Sequence, residues 1–153
     1  VAGYTGQFEC KVDAKGRMKL PAGLLRQVAE EAKQHYVINK GLDDCLMLYT
    51  QADWEKLTAK LNQQLNYFNE KHRKFQRIFL NMAVMVDMDS SERVLIPKRL
   101  ADAAGIKDEV VIMAVGTNIE LWSKEKYEAN FSEMPENLSD LAGEVLGNLN
   151  LFE

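Results

Sequence analysis

The chain has 153 residues but only two cysteines, two histidines and three prolines. A small disulfide-stapled fold needs more cysteine than this. Cys10 and Cys45 are expected as free, half-buried strand thiols in a reducing compartment. His35 and His72 lie far apart and no C-x-x-C pair occurs, which argues against a structural zinc site. No apolar run approaches the roughly 18 residues of a membrane span. The N-terminus shows no basic segment followed by an apolar one, so no signal peptide is expected. The catalytic signatures G-x-S-x-G, H-E-x-x-H, the Walker loop and the Rossmann glycine set are missing as well. Asp43, Asp44, Asp87 and Asp89 form two close carboxylate sets; Cys45 adjoins the first, but no histidine adjoins either one in sequence and no nucleophile–base motif surrounds them. Such acids are expected as caps or solvated turn residues, and an enzyme is not expected.

An excess of positive charge is missing too, since the net charge is −4. Its distribution qualifies that. Residues 128–153 carry six acids (Glu128, Glu133, Glu136, Asp140, Glu144 and Glu153) and no lysine or arginine, leaving residues 1–127 at +2. The body can therefore hold a local basic patch. Apolar residues make up 46% and charged residues 27%, enough to build an ordinary core.

What is present is a repeat. Asp13, Arg17, Pro21 and Leu24 recur 76 residues later as Asp89, Arg93, Pro97 and Leu100. The apolar frame recurs with them: Phe8, Cys10, Val12, Met18 and Leu20 lie over Val84, Val86, Met88, Val94 and Ile96. Further on, 36–41 resembles 111–116, 46–49 resembles 119–122, and Trp54 falls over Tyr127. A single Asp-x-x-x-Arg means nothing, but two at one offset in matching frames indicate a duplication.

Each copy reads as strand, tight turn, strand, short helix and second hairpin. Asp13 and Gly16 shape the first turn, through side-chain bonds to backbone N–H groups and a left-handed glycine. Asp89 matches Asp13, but Glu92 replaces the glycine. A non-glycine residue held left-handed costs roughly 1 kcal/mol, which predicts another shape for this turn. Pro21 and Pro97 mark helix starts. Between the copies, Trp54, Leu57, Leu61, Leu65 and Phe68 recur at helical spacing, and Phe75, Ile78 and Phe79 form a second run. Both are expected as core stripes. Leu138, Leu141, Val145 and Leu149 predict an amphipathic tail helix docked on the body or on a neighbour. The boundaries read 7–54 for the first unit, 55–82 for connecting helices, 83–126 for the second unit and 127–153 for the tail.

With the apolar frame inward, alternation turns Glu9, Lys11, Arg17 and Lys19 outward, with Lys15 on the turn tip. Such a basic ribbon fits a DNA groove, where lysine and arginine meet phosphates and an arginine can grip guanine. It equally fits a solvated, lysine-blunted edge strand. In the second copy the outward residues are Met85, Asp87, Arg93 and Leu95, with no net charge. Exposed Met85 and Leu95 suit protein packing better than DNA, so the first copy is expected to be the main DNA contact. Lys71, His72, Arg73, Lys74 and Arg77 read as a solvated face opposite Glu55, Glu70 or the acidic tail.

The motif from Asp13 to Arg17 with Leu20 and Pro21, the segments 41–49 and 75–80, Asp89 and Arg93 with Ile96 and Pro97, the segment 104–106, and the run 119–124 together resemble the MraZ family, bacterial regulators of the SpoVT-AbrB superfamily. Glu92 departs from the glycine of the family pattern. The resemblance implies an α+β fold, with duplicated swapped-hairpin β-barrel units forming an intrachain pseudo-dimer with helices outside. It implies a transcriptional regulator of the gene cluster for cell division and cell wall, which binds promoter direct repeats as a ring homo-oligomer. It places the DNA-contacting arginine on Arg17, with Arg93 as its counterpart. The expected DNA-binding residues are then Lys11, Lys15, Arg17, Lys19 and Arg93, with Asp13, Gly16 and Asp89 shaping the turns. No cofactor, metal, membrane or small-molecule substrate is expected, and the location is expected to be cytoplasmic and nucleoid-associated. A ring-forming scaffold with incidental DNA binding is the alternative.

Overall fold

The computed structural model describes residues 3–131 and 138–147. The first copy runs β1 (Tyr4–Lys11), β2 (Arg17–Lys19), α1 (Ala22–Leu25), β3 (His35–Lys40) and β4 (Leu46–Thr50). Two longer helices follow, α2 (Gln51–Gln64) and α3 (Glu70–Met82). The second copy repeats the order as β5 (Val84–Asp87), β6 (Arg93–Leu95), α4 (Lys98–Ala104), β7 (Glu109–Gly116) and β8 (Asn118–Ser123). Helices α5 (Lys124–Phe131) and α6 (Leu138–Leu146) close the described chain.

The two copies do not fold separately. A six-stranded antiparallel sheet has the order β1-β7-β8-β4-β3-β5. In it the first strand of each copy leaves its own copy: β1 pairs with β7, and β5 pairs with β3. The remaining strands, β2 and β6, pair with each other as a separate two-stranded ribbon, with one further bridge from Met18 to Val12. The expected closed barrel is not formed. β1 and β5 stay as edges of an open sheet, because β2 and β6 spend their bonds on one another.

Burial follows from this layout. Strands β3, β4, β7 and β8 lie within the sheet, and both of its faces are covered. One face meets the ribbon and the short helices through Met18, Leu20, Val94, Ile96, Ile38, Leu48, Ile112 and Leu121, all at most 3% exposed. The other meets α2, α3 and α5 through Val37, Met47, Tyr49, Trp54 and Trp122. Covered on both faces, β4 loses alternation and is buried at every position. Edge strand β5 keeps it, with Met85 and Asp87 exposed between half-buried neighbours. Each fully buried aliphatic side chain here contributes roughly 1.5–3 kcal/mol.

Thr50 caps α2, its hydroxyl accepting from the Asp53 N–H at 3.1 Å. The expected stripe through Leu65 and Phe68 stops early. Leu65 is already extended at the helix end, and Asn66 and Asn69 take over the backbone donors of the next turn and of the α3 start. Phe68 is therefore 91% exposed. On α3, Phe79 packs on Trp54, but Phe75 and Ile78 remain exposed. These two are not core residues. Helical spacing reveals an apolar face but not whether the same chain covers it. The α6 stripe is the same: Leu138, Leu141 and Val145 are exposed. Leu149, and the acids Glu133, Glu136 and Glu153, lie outside the described residues. No helix among the described residues is long and apolar enough to cross a membrane.

Candidate nucleic-acid interface

The turn between β1 and β2 is built by Asp13. One carboxylate oxygen accepts the backbone N–H groups of Lys15 and Arg17, both at 2.9 Å. The other accepts the Arg17 Nε–H at 2.8 Å. Gly16 sits at φ +86°, and its N–H donates to the Asp13 carbonyl. Asp89 repeats this set, accepting from the N–H of Ser91 at 2.8 Å and of Arg93 at 2.9 Å, and from Arg93 Nε at 3.1 Å. In each case the backbone N–H of the arginine, followed by the other donors, holds the carboxyl below its usual pKa range.

The prediction of a different second turn fails at this point. Glu92 adopts φ +62° and the turn keeps the shape of the first. The reason is in the ladder between the copies. The Glu92 carbonyl accepts from the Leu20 N–H at 2.8 Å, and in the equivalent place the Gly16 carbonyl accepts from the Ile96 N–H at 2.9 Å. With two such bonds and the Asp89 contacts, the surroundings outweigh roughly 1 kcal/mol of strain.

Pairing of β2 with β6 then merges the two motifs into one surface. Met18 faces Val94 in the core, whereas Arg17 stands opposite Leu95, and Lys19 opposite Arg93, on the outer face. Asp13 links the copies further, its Oδ2 lying 3.7 Å from Arg93 Nη1. Of the expected site residues, the ribbon thus unites Asp13, Lys15, Gly16, Arg17, Lys19, Asp89 and Arg93. Lys11 is not among them. It sits at the end of β1, exposed and opposite Glu109.

Charge on the composite surface is more balanced than on the first hairpin alone, because Asp89 and Glu92 join it. What distinguishes the cations is their freedom. Among the described residues, no carboxylate pairs with the ammonium groups of Lys15 and Lys19, and none accepts a hydrogen bond from the two terminal nitrogens of Arg17. Arg17 is thus aimed through Nε, with its terminal nitrogens left without such an acceptor. Arg93 is aimed likewise, but one of its terminal nitrogens leans toward Asp13.

Two contacts are invisible in the sequence. His35 Nδ1 lies 2.7 Å from Asp87 Oδ1, across the β3–β5 pair. Only strand exchange brings these residues together. The contact between Asp13 and Arg93 has the same origin. The 76-residue offset shared by the two Asp-x-x-x-Arg hairpins is a signal that the copies pack symmetrically, but it does not say which strands meet. In the basic run of α3, His72 Nδ1 accepts from the Asn66 N–H, and Arg73 donates to the Tyr67 carbonyl. These two side chains brace the α2–α3 loop instead of facing Glu55 or Glu70.

The family model described as "MraZ protein, putative antitoxin-like" matches the chain twice, over residues 4–78 and 79–148. The chain is 39% identical over 144 residues to a protein of Christiangramia forsetii named transcriptional regulator MraZ, covering 94% of this chain and 92% of that one. A protein of the same name from Thermoanaerobacter sp. is 38% identical over 143 residues, covering 89% of this chain and 96% of that one. The relative from Flavobacterium psychrophilum, again of that name, is 35% identical over 146 residues, covering 95% and 92%. Two tandem matches to one model, and relatives aligned nearly end to end, make this chain a member of the MraZ family of transcriptional regulators.

Proposed function

We propose that the chain is a sequence-specific, double-stranded DNA-binding transcriptional regulator, with the β2–β6 ribbon as its reading surface. One observation carries this reading. Asp13 clamps Nε of Arg17 at 2.8 Å, while among the described residues no carboxylate accepts a hydrogen bond from its terminal nitrogens, at the edge of a solvent-facing ribbon. An arginine so held can present two parallel donors to guanine O6 and N7, or to a phosphate, with little orientational entropy left to lose. Lys15, Lys19 and Arg93 meet phosphates beside it. Lys11 contributes from the margin.

One ribbon makes few contacts, so a single subunit binds weakly. The reading therefore includes a ring homo-oligomer that sets several ribbons on promoter direct repeats, multiplying affinity through effective concentration. Exposed Phe75 and Ile78 on α3, and Leu138 and Val145 on α6, support self-association as apolar surface that the described residues leave uncovered. Family membership supports the gene cluster of cell division and cell wall as the target, and a cytoplasmic, nucleoid-associated place of action. The swapped-hairpin description of each unit draws its support from the exchanged partners of β1 and β5. The division into units at 7–54 and 83–126, joined by 55–82 and followed by the tail, belongs to the same reading.

The test is a gel-shift titration of the upstream promoter fragment with Arg17→Ala. Loss of a bidentate arginine contact weakens binding by ~1–3 kcal/mol, or roughly 5- to 150-fold. Affinity of the unaltered chain should also fall with salt, by about 0.9 log units per log unit of salt for each phosphate contact. The same exposed apolar surface also favours a ring-forming scaffold with incidental DNA contact. Sequence-blind binding, untouched by Arg17→Ala, would select that reading instead.

A further inference from the structure

The outer face of the ribbon carries an apolar residue in the middle of its cations. Leu95 is 51% exposed and stands directly opposite Arg17. Its Cδ1 lies 3.5 Å from the point where a Cβ on Gly16 would sit, so it rests over the bare backbone of the first turn. In the pseudo-symmetric place, Lys19 stands opposite Arg93, and Glu92 replaces Gly16. The two ends of one ribbon therefore differ in kind. One joins a guanidinium, an isobutyl group and a glycine. The other joins a guanidinium, an ammonium and a carboxylate.

A lone exposed leucine needs no explanation in itself. Its neighbours give this one a meaning. A protein surface that covered Leu95 would also have to desolvate Arg17 across the strand and Arg93 on the same face, at a cost unless each were paired. The edge of a DNA major groove accommodates both chemistries at once. Guanine offers two acceptors for an arginine, and the thymine 5-methyl is the one apolar group exposed there. We infer that Leu95 is a specificity-determining residue that packs on a thymine 5-methyl next to the base gripped by Arg17. The inference rests on the DNA-reading function proposed above. It assigns thymine selectivity to the Arg17 end of the ribbon and phosphate contact to the Lys19 end.

The test works wherever the operator lies within the promoter. The promoter fragment upstream of the gene cluster is amplified with dTTP or, using primers that carry deoxyuridine, with dUTP in its place, which removes every thymine 5-methyl group. Both probes are titrated with the full chain and with Leu95→Ala, Leu95→Met and Arg17→Ala. The unaltered chain should bind the uracil probe about fourfold more weakly for each methyl group it buries, compounding across engaged repeats. Leu95→Ala should bind the two probes alike, and Leu95→Met should recover most of the preference. Arg17→Ala should weaken binding to both while keeping the ratio. A Leu95→Ala protein that retains the full ratio overturns the inference, as does an unaltered chain indifferent to the methyl group. Either result, with tight binding intact, leaves the DNA-reading function standing. Absence of binding to either probe removes that function and this inference together.

Discussion

In both hairpins an aspartate accepts backbone N–H groups two and four residues on, an arginine Nε closes the ring, and a left-handed residue precedes that arginine. The core positions match as well, with Met18 and Val94 both at 0% exposure. The difference lies on the outside. The first hairpin supplies Lys15, Gly16 and Lys19, where the second supplies Ser91, Glu92 and Leu95. Duplicated backbone and interior, with divergent surface, is what packing demands when two copies build one core: interior changes are felt on both sides, and exposed ones are not. The two hairpins are thus one scaffold with two different ends.

The largest effect should come from breaking what the copies share. Met18→Ala empties a site at the middle of the ribbon and should destabilise the fold by ~2–5 kcal/mol in chemical denaturation. Val94→Ala should cost less. The double variant should depart from additivity by at least ~0.5 kcal/mol, because the two side chains face each other. Strict additivity would mean that the copies do not share a core at the ribbon.

Next come the turns. Glu92→Gly should raise stability by ~1 kcal/mol, or about 2–4 °C in melting temperature, by removing left-handed strain. Gly16→Ala should lower it by a similar amount. A Cβ at Gly16 meets Leu95 Cδ1 and the Ile96 carbonyl at 3.5 Å, ordinary contact distances, so backbone strain sets the sign. Equal responses at the two positions would contradict the turn assignment.

The smallest effect concerns pH. Asp13 and Asp89 both titrate below the ordinary aspartate value of 3.8 in the folded chain, held down by the backbone N–H groups and guanidinium they accept from. A depressed carboxylate contributes stability that is full above its unfolded pKa and is lost as pH falls through the folded value. Acid unfolding below about pH 4 should therefore be shallower in Asp13→Asn or Asp89→Asn than in the unaltered chain. An identical acid limb would show that these contacts contribute nothing to folding.

Much of this is legible in the residues. The repeat locates both turns, and alternation orients Glu9, Lys11, Lys19, Met85 and Leu95 outward, where they are found. What fails does so for definable reasons. Local propensity argues against a left-handed Glu92, whereas cross-strand bonds from the other copy decide its conformation. Spacing places Phe68, Phe75 and Ile78 in a core, but spacing is blind to what covers a helix face. The neighbours of the site escape because strand exchange sets them: Leu95 beside Arg17, Arg93 near Asp13 and His35 on Asp87 are contacts between copies. Leu95 in particular suits protein packing only so long as its partner strand is unknown.

In the proposed function the two ends of the ribbon are unequal, with the Arg17 end reading DNA. The most direct measurement titrates one promoter fragment with Arg17→Ala and Arg93→Ala side by side, by fluorescence anisotropy at fixed salt. Arg17→Ala should lose at least about tenfold more affinity than Arg93→Ala, as loss of a base contact exceeds loss of a phosphate contact. Equal losses, or a larger loss for Arg93→Ala, would contradict it.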